Sequence, residues 1–204
     1  MSLSQYRTKR NFEATSEPAG KTILPRKRLR FVVQRHKASR LHYDFRLEVK
    51  GILKSWAVPK GPSMNPLDKR LAMMVEDHPY EYRTFKGIIP KGNYGAGIVE
   101  IWDQGLYTPL GPDHRPVDDS ALLQQLYRGT ITFALRGRKL RGEFALVKIK
   151  TSEDNAWLLI KKTDAFAVTT AYDSEALTPS SSPINKALKA RRSIKNRGAI
   201  TGIM

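Results

Sequence analysis

Residues 41–49 alternate between apolar and polar side chains without interruption, and this pattern strongly limits how the segment can fold. The segment reads Leu-His-Tyr-Asp-Phe-Arg-Leu-Glu-Val, so every odd-numbered residue is apolar and every even-numbered residue is polar. A period of two residues predicts a β-strand with one buried face. His42, Asp44 and Arg46 should leave the other face together, with neighbours about 6–7 Å apart because each strand residue rises about 3.3 Å.

The polar face of this strand carries the groups of a metal and phosphate site. An imidazole and a carboxylate can bind one divalent cation, and a nearby guanidinium can bind a phosphate through two N–H groups. His36 ends the preceding apolar run, and residues 37–40 are short enough for a hairpin turn that brings it towards His42. Such a ligand set suits manganese, zinc or iron and leaves positions open for water and a phosphate oxygen. The pattern predicts half of a metallophosphoesterase site; exposed histidines beside a surface ion pair are the alternative interpretation.

Residues 70–78 are predicted to form a second strand of this kind. Arg70, Glu76 and His78 share one parity, and the apolar residues at positions 71, 73 and 75 share the other. One face of the strand should then present a cation, a carboxylate and an imidazole, a set able to bind a phosphate. The remaining histidine, His114, lies in a segment rich in Gly and Pro and is predicted to be a solvated loop residue.

Several ordered blocks of the chain carry these residues. They are Arg35-His36-x5-His42-x-Asp44-x-Arg46-Leu47-Glu48, Trp56-Ala57-Val58-Pro59-Lys60-Gly61-Pro62-Ser63, Glu76-Asp77-His78-Pro79-x-x-Tyr82 and Ile89-Pro90-x-Gly92-x-Tyr94-Gly95-x-Gly97. Together they resemble the 3′-phosphoesterase module of bacterial DNA ligase D, and residues 157–164 resemble its end. The matches run from about residue 6 to residue 165. Several blocks in order are more specific than any one of them.

This resemblance implies a β-barrel enzyme that heals DNA 3′ ends in non-homologous end joining. The family removes a 3′-terminal ribonucleotide by phosphodiester cleavage and then removes the resulting 3′-phosphate, leaving a 3′-OH. It depends on a divalent metal, typically manganese, although other divalent transition metals are compatible. The expected partners are DNA or DNA/RNA 3′ ends of primer-templates. A stand-alone, monomeric enzyme is expected, which acts either alone or beside separate ligase, polymerase and Ku proteins.

The resemblance also implies roles for individual residues by motif position. The metal ligands correspond to His36, His42 and Asp44. The groups in contact with the scissile phosphate correspond to Arg46 and His78, and a further active-site residue corresponds to Tyr82. Residues implied to matter chiefly for the phosphomonoesterase step are Lys60, Arg70 and Glu76. An N-terminal stretch that folds over the site is implied to act on substrate through Arg10, Asn11 and Glu17.

Two places depart from the family pattern. Asn11 stands where the family carries Asp, and an amide keeps an acceptor oxygen but loses the charge. The glycine loop is usually acidic, but here it carries Lys86, Lys91 and Asn93, a change that bears on nucleic-acid affinity. Tyr94 in this loop is a candidate for contact with a nucleotide.

Composition favours a polyanionic partner. The 204 residues carry a formal net charge of +17, which is typical of nucleic-acid-binding proteins. The chain has no cysteine, so it has neither a disulfide framework nor a thiolate site. No apolar run reaches the about 20 residues of a membrane helix, and a signal peptide is not expected. We expect a reducing, nucleoid-facing cytoplasm. A basic nucleic-acid-binding barrel without catalysis is the main alternative, and the charge argues against a cupin-like enzyme acting on small molecules.

The organisation predicted from the sequence has three parts. Residues 1–27 form a basic arm, residues 28–165 form a mainly β, compact antiparallel barrel, and residues 166–204 form a basic, disordered tail that tethers DNA or merely aids solubility. One short helix is predicted over 118–128, with Asp119 or Ser120 as N-cap and Gly129 just past its end. The predicted strands are 31–36, 41–49, 54–58, 70–77, 97–102, 130–135, 143–150 and 157–162.

Overall fold

The protein is mainly β, as predicted, and the computed structural model describes residues 2–21 and 28–190. The strands are β1 (Arg30–Lys37), β2 (Leu41–Val49), β3 (Ile52–Val58), β4 (Lys69–Pro79), β5 (Gly87–Ile89), β6 (Gly97–Leu110), β7 (Thr130–Arg136), β8 (Arg141–Lys148) and β9 (Ala156–Lys161). The helices are α1 (Ser4–Thr8) and α2 (Asp119–Arg128), with 3₁₀ turns at Tyr80–Thr84 and Glu175–Leu177 and further helical residues at 183–190.

Eight of these strands close into an antiparallel barrel. Their order is β1-β2-β3-β4-β9-β8-β7-β6, and β6 pairs back to β1. The short β5 pairs only with the beginning of β6. Closure removes the exposed edges that an open sheet would present. The predicted compact antiparallel barrel is therefore confirmed, although the sequence pattern missed β5 and the second half of β6.

The barrel core is built from the apolar faces of the strands. In β2 the odd-numbered side chains Tyr43, Phe45 and Leu47 are buried in the main core cluster, where Trp56 and Trp157 join them. The alternation leaves the even-numbered polar residues of β2 on the outer face of the barrel wall. The N-terminal arm and the 3₁₀ turn at Tyr80–Thr84 cover that face and form a second, smaller core cluster with it.

Strand β4 contains a β-bulge that changes which residues share a face. Its pairing with β3 joins Ser55 to Val75 and Leu53 to His78, so one intervening residue on β3 opposes two on β4. The side chains before the bulge therefore have the opposite parity to those after it. The sequence-based prediction that Arg70 shares a face with Glu76 and His78 is wrong for this reason.

The Arg70 side chain lies instead on the inner side of the barrel wall, at one end of the barrel. Ala72 and Met74, which have the parity of Arg70, pack in the main core. The Arg70 guanidinium donates to Asp68 at 2.8 Å and to the carbonyl of Tyr172 at 2.9 Å. Arg70 thus ties the segment that follows the barrel to the start of β4.

Helix α2 lies where it was predicted, but its N-cap is one residue before the nearer of the two predicted caps. Asp118 is the N-cap: it has an extended backbone, and its carboxylate accepts a hydrogen bond from the Ala121 amide at 2.8 Å. The prediction of Asp119 or Ser120 as N-cap was therefore wrong, because both already have helical positions. Gly129 ends the helix with a positive φ of 78°, as its position predicted. Leu122 is buried against the barrel.

The segment 166–190, which we call the C-terminal strap, closes one end of the barrel. Arg35 is fully buried there and donates to Glu175, Glu100 and Asn185 at 2.5–2.9 Å. Ile184 is also fully buried. The predicted disorder is wrong for residues 166–190, because Glu175 and Asn185 of this segment satisfy donors of the buried Arg35 guanidinium that Glu100 of the barrel does not. The tail residues 191–204 lie outside the described part of the chain.

Within the described ranges 2–21 and 28–190, we find no helix that is both long and apolar enough to cross a bilayer.

Candidate metal and phosphate site

Two histidines and one aspartate meet at one end of the β1–β2 hairpin. His36 on β1 is paired directly with His42 on β2, and their ring centroids are 4.7 Å apart. The Asp44 carboxylate lies 3.4 Å from Nδ1 of His36 and 3.6 Å from Nε2 of His42. One potential ligand atom from each residue lies within 4.8 Å of the other two. The hairpin predicted from the sequence thus brings all three candidate ligands together.

Hydrogen bonds to the backbone orient both imidazoles. Nε2 of His36 is 2.9 Å from the Gly95 carbonyl, and Nδ1 of His42 is 3.1 Å from the Arg40 carbonyl. A carbonyl only accepts, so these nitrogens carry the protons. In the neutral form of each ring, which is the form that binds a metal, the other nitrogen turns an unshared electron pair towards Asp44. Three such donors facing one another repel without a cation, and backbone contacts that set the tautomer are usual at metal sites. The residues present therefore fit a divalent metal.

The Asp44 carboxylate is nearly buried but stays ionised. Burial is the largest single influence and raises the pKa of this group, but the positive charge of Arg46 and the contacts with His36 and His42 together outweigh burial and hold the pKa well below its usual range. Arg46 Nη2 lies 3.3 Å from Asp44 Oδ2. A carboxylate that remains charged near neutral pH is available as a metal ligand.

Arg46 is fixed in position but keeps a free donor. Its Nε donates to Oε1 of Gln34 at 2.8 Å, and its guanidinium lies over the Tyr82 ring at 4.9 Å. Its Nη1 is buried and has no hydrogen-bond partner among the described residues. A buried donor without a partner is unfavourable by about 1–3 kcal/mol. A phosphate oxygen beside the metal site would satisfy it.

Gln34 is a site residue that the sequence reading missed. Its amide nitrogen donates to the carbonyls of Tyr82 and Phe85 at 3.0 and 2.8 Å, while its oxygen holds Arg46. Gln34 is paired directly with Asp44 across the hairpin. An amide directly after the apolar run 31–33, at the parity of His36, was the signal that could have found it.

His78 faces the same groove in a neutral form. Its Nδ1 donates to the Glu76 carbonyl at 2.8 Å, and its Nε2 accepts from Arg10 at 3.2 Å, because a guanidinium only donates. Burial lowers the pKa of His78 well below 6.5, and the positive charges of Arg46 and Arg10 add to this effect. The histidine is therefore uncharged near neutral pH in this arrangement.

The N-terminal arm reaches over the groove and closes one side of it. Arg10 donates to Glu17 at 2.9 Å and to Glu76 at 3.2 Å. Glu17 in turn accepts from the Tyr82 hydroxyl at 2.9 Å. These bonds join the arm to β4 and to the 3₁₀ turn through side chains that are almost fully buried. Lys9 makes a further ion pair with Glu76 at 3.1 Å.

The groove itself has a volume of about 440 Å³. It is lined by the predicted residues Arg10, His36, His42, Asp44, Arg46, Glu76, His78 and Tyr82. Four other predicted site residues do not line it. Glu17 is buried and accepts hydrogen bonds from Arg10 and Tyr82. Lys60 is exposed in the turn after β3, Arg70 points to the C-terminal strap, and Asn11 is exposed and accepts from the Glu13 amide at 3.1 Å.

The fold and the site together define a small antiparallel barrel with a potential metal cluster beside a buried arginine. The profile of the DNA ligase D 3′-phosphoesterase domain matches residues 34–148, more than half of the chain. The chain belongs to this family.

Several curated proteins are similar to the chain over most of its length. The multifunctional non-homologous end joining protein LigD of Pseudomonas aeruginosa is 49% identical over 170 residues, 81% of the chain. LigD of Mycolicibacterium smegmatis is 44% identical over 72% of the chain, and that of Mycobacterium tuberculosis is 42% identical over 76%. The matched region is 19% of each relative, so the chain spans about a fifth of their length.

Proposed function

We propose that this protein is a metal-dependent phosphoesterase that heals DNA 3′ ends. It would remove a 3′-terminal ribonucleotide by phosphodiester cleavage and then remove the 3′-phosphate that remains. The observation that carries this proposal is the free, buried Nη1 of Arg46 next to the cluster of His36, His42 and Asp44. A cation site beside an unsatisfied guanidinium suits a phosphate that bridges the two.

His36, His42 and Asp44 would hold the metal, for which we propose manganese, while zinc or iron also suits two imidazoles and a carboxylate. When bound, the metal would act as a Lewis acid towards a phosphate oxygen. The carbonyls of Gly95 and Arg40 keep the two rings turned towards the site. The ligands are thus oriented by the barrel before any substrate arrives.

Arg46 would neutralise the charge that develops on the phosphate. Gln34 and the Tyr82 ring hold its guanidinium in one orientation, so little reorganisation is needed during the reaction. The chain has no cysteine that could attack phosphorus. We therefore propose direct attack by water.

His78 has two proposed roles, stabiliser of charge and general acid, and both need a proton on Nε2. In this structure that atom accepts a hydrogen bond from Arg10. We propose that His78 gains the proton only when a phosphate enters the groove. The negative charge of the phosphate would raise the pKa of His78 and so oppose the effect of Arg10 and Arg46. The arm would then release Nε2 and turn Arg10 to the substrate.

The substrates we propose are DNA or DNA/RNA 3′ ends at the nucleoid, in agreement with the net charge of +17. Three similar proteins are named for non-homologous end joining. We propose the same process here, with a monomer of this chain acting beside separate ligase, polymerase and Ku proteins.

The deciding experiment uses a primer-template whose recessed strand ends in one ribonucleotide. With manganese, the purified protein should release the nucleoside and then convert the 3′-phosphate end into a 3′-OH. With a chelator it should do neither. The variant Asp44→Asn separates catalysis from simple binding, because it removes a negative charge from the groove without adding bulk. If Asp44→Asn loses cleavage but binds DNA as tightly as wild type, the result supports the enzyme. If the wild-type protein binds the primer-template and never cleaves it, the protein is a nucleic-acid-binding barrel without catalysis.

A further inference from the structure

Tyr94 stands at the mouth of the candidate catalytic groove. Its side chain is among those that line the groove, and the residue is 48% exposed. The tyrosines at positions 6, 80 and 82 nearby are at most 3% exposed and belong to a core cluster. Tyr94 is therefore an aromatic ring beside the site that has no packing role in the core.

The backbone holds Tyr94 close to the metal cluster. The next residue, Gly95, has its carbonyl 2.9 Å from Nε2 of His36. Gly95 has a positive φ of 74°, and Gly97 has one of 155°. A Cβ atom at Gly97 would lie 2.2 Å from the Lys37 carbonyl oxygen, so only glycine lets the loop approach the β1–β2 hairpin this closely. The position of Tyr94 is thus set by the same contacts that orient a candidate ligand.

Two cations of the N-terminal arm also orient the ring. Lys9 Nζ lies 4.7 Å from the ring centroid, and the Arg10 guanidinium carbon lies 5.6 Å from it. Both side chains are held in turn by Glu76, at 3.1 and 3.2 Å. The ring is therefore anchored at one side by charges and remains half exposed towards the groove.

We propose that Tyr94 is a positioning residue that stacks on the base of the 3′-terminal ribonucleotide. This inference rests on the phosphoesterase function proposed above. In the first step, water would form a bond to phosphorus, the bond from phosphorus to the 5′-oxygen of the terminal nucleoside would break, and the nucleoside would leave with a 5′-hydroxyl. A phosphate between the metal cluster and Arg46 puts that leaving nucleoside at the groove mouth. Stacking on an aromatic ring suits any base, because every base has a π-face.

The stacking contact should serve one step and not the other. The phosphodiester step has a nucleoside beyond the reacting phosphate, whereas the phosphomonoester step has none. Tyr94 should consequently raise the affinity for ribonucleotide-ended strands and contribute nothing to removal of a 3′-phosphate. Loss of a base–aromatic stack corresponds to roughly a 5- to 100-fold loss of binding.

The test compares Tyr94→Ala, Tyr94→Phe and the control Phe166→Ala on two substrates. Phe166 is 50% exposed and does not line the groove. The substrates are one primer-template ending in a ribonucleotide and one ending in a 3′-phosphate. Tyr94→Ala should raise KM for nucleoside release roughly 5- to 100-fold and leave phosphate removal unchanged. Tyr94→Phe keeps an aromatic ring and should behave like wild type on both substrates. Phe166→Ala should also behave like wild type on both.

A third substrate, whose terminal ribonucleotide lacks its base, makes the test specific for stacking. Wild type should be slower on it by the factor that Tyr94→Ala shows on the intact substrate, and Tyr94→Ala should be no slower on the abasic end. Equal loss on all three substrates, or an unchanged KM for nucleoside release, overturns the stacking role. A wild type that cleaves none of them overturns the proposed function instead, so the two failures are distinguishable.

Discussion

At the scale of single residues, the site depends on charged groups and nitrogen ligands whose binding capacity the protein satisfies only in part. Asp44 stays ionised although it is nearly buried, since Arg46 lowers its pKa. On both imidazoles, the ring nitrogen that does not bond to a backbone carbonyl faces it. Arg46 keeps a buried N–H free. Each of these features is unfavourable by itself, and a cation with a phosphate oxygen would resolve them together.

Removal of one ligand tests this interpretation. His42→Ala or Asp44→Ala should abolish both nucleoside release and 3′-phosphate removal, with losses beyond the about 10–100-fold expected for residues that only support a ligand. Both side chains lie outside the barrel core, so circular dichroism and thermal unfolding should show a folded barrel. Full activity of either variant, or of wild type after exhaustive chelation, would contradict a metal at this site.

The neutral state of His78 makes a prediction about stability and pH. Because burial lowers its pKa on folding, the unfolded chain binds a proton below about pH 6.5 that the folded chain refuses. The contribution of His78 to the free energy of unfolding is complete above pH 6.5 and is lost as the pH falls towards the folded pKa. For each unit by which the pH falls in that range, the free energy of unfolding of wild type should decrease by up to about 1.4 kcal/mol more than that of His78→Gln.

Urea unfolding of wild type and His78→Gln at pH 7.5, 6.5 and 5.5 measures this difference. The other histidines are common to both proteins, so their titration cancels. Parallel losses of stability in the two proteins would mean that His78 is already protonated in the folded state.

At the scale of elements, the β-bulge in β4 separates two residues that a regular strand would keep together. Glu76 lies after the start of the bulge and holds Lys9 and Arg10 at the groove. Arg70 lies before it and binds Asp68 and the C-terminal strap. A direct contact between Arg70 and a phosphate in the groove is therefore not expected, and an effect of Arg70 would have to pass through the strap.

The two residues should consequently respond differently to substitution. Glu76→Ala leaves Lys9 and Arg10 without their shared ion-pair partner. Binding of a dianionic phosphomonoester depends more on nearby positive charges than binding of a monoanionic phosphodiester does. Strands ending in 3′-phosphate should then accumulate during the reaction. Arg70→Ala should change this product ratio less and lower the stability by about 1–3 kcal/mol, because a carbonyl and a carboxylate lose a donor. Gel analysis of the strand ends, together with urea unfolding, checks both; accumulation with Arg70→Ala alone would argue against this division.

At the scale of the whole molecule, charge and packing divide the C-terminal region at residue 190. Residues 166–190 close the barrel end around the buried Arg35. The cluster of six positive charges in 186–197 includes four beyond that point, at Arg191, Arg192, Lys195 and Arg197. A truncation that begins at residue 176 would remove the strap as well as the charges, so it would not test the charges alone.

Deletion of residues 191–204 is the cleaner test of a DNA-tethering role. If the four charges contact phosphates, the slope of log affinity against log salt should become shallower by up to about 3–4, since each neutralised phosphate contributes about 0.9. The single-turnover rate at saturating enzyme should stay unchanged, because the groove is lined by residues from 10 to 96. An unchanged salt slope would mean that these charges do not touch DNA.

Much of this protein could be predicted from its sequence because the decisive patterns are local. The alternation in 41–49 determines which side chains face the core, and the three-residue connection 38–40 is too short for β1 and β2 to form anything but a hairpin. His36, His42, Asp44 and Arg46 therefore share one face in any fold that buries the apolar side. Gly129 ends its helix for an equally local reason, its freedom to take a positive φ.

Other features were decided only by contacts between segments far apart in the chain. The bulge in β4 lies where the pairing between β3 and β4 changes register. This change places Arg70 and His78 on opposite faces of the strand. The tautomers of His36 and His42 depend on carbonyls of neighbouring loops, and the proton state of His78 depends on Arg10 from the arm. Side-chain periodicity reports only which face is buried. The assembled barrel determines the strand register, the burial of charged groups and the choice of hydrogen-bond partners. The sequence of a single segment does not contain this information, because the contacts involve other segments.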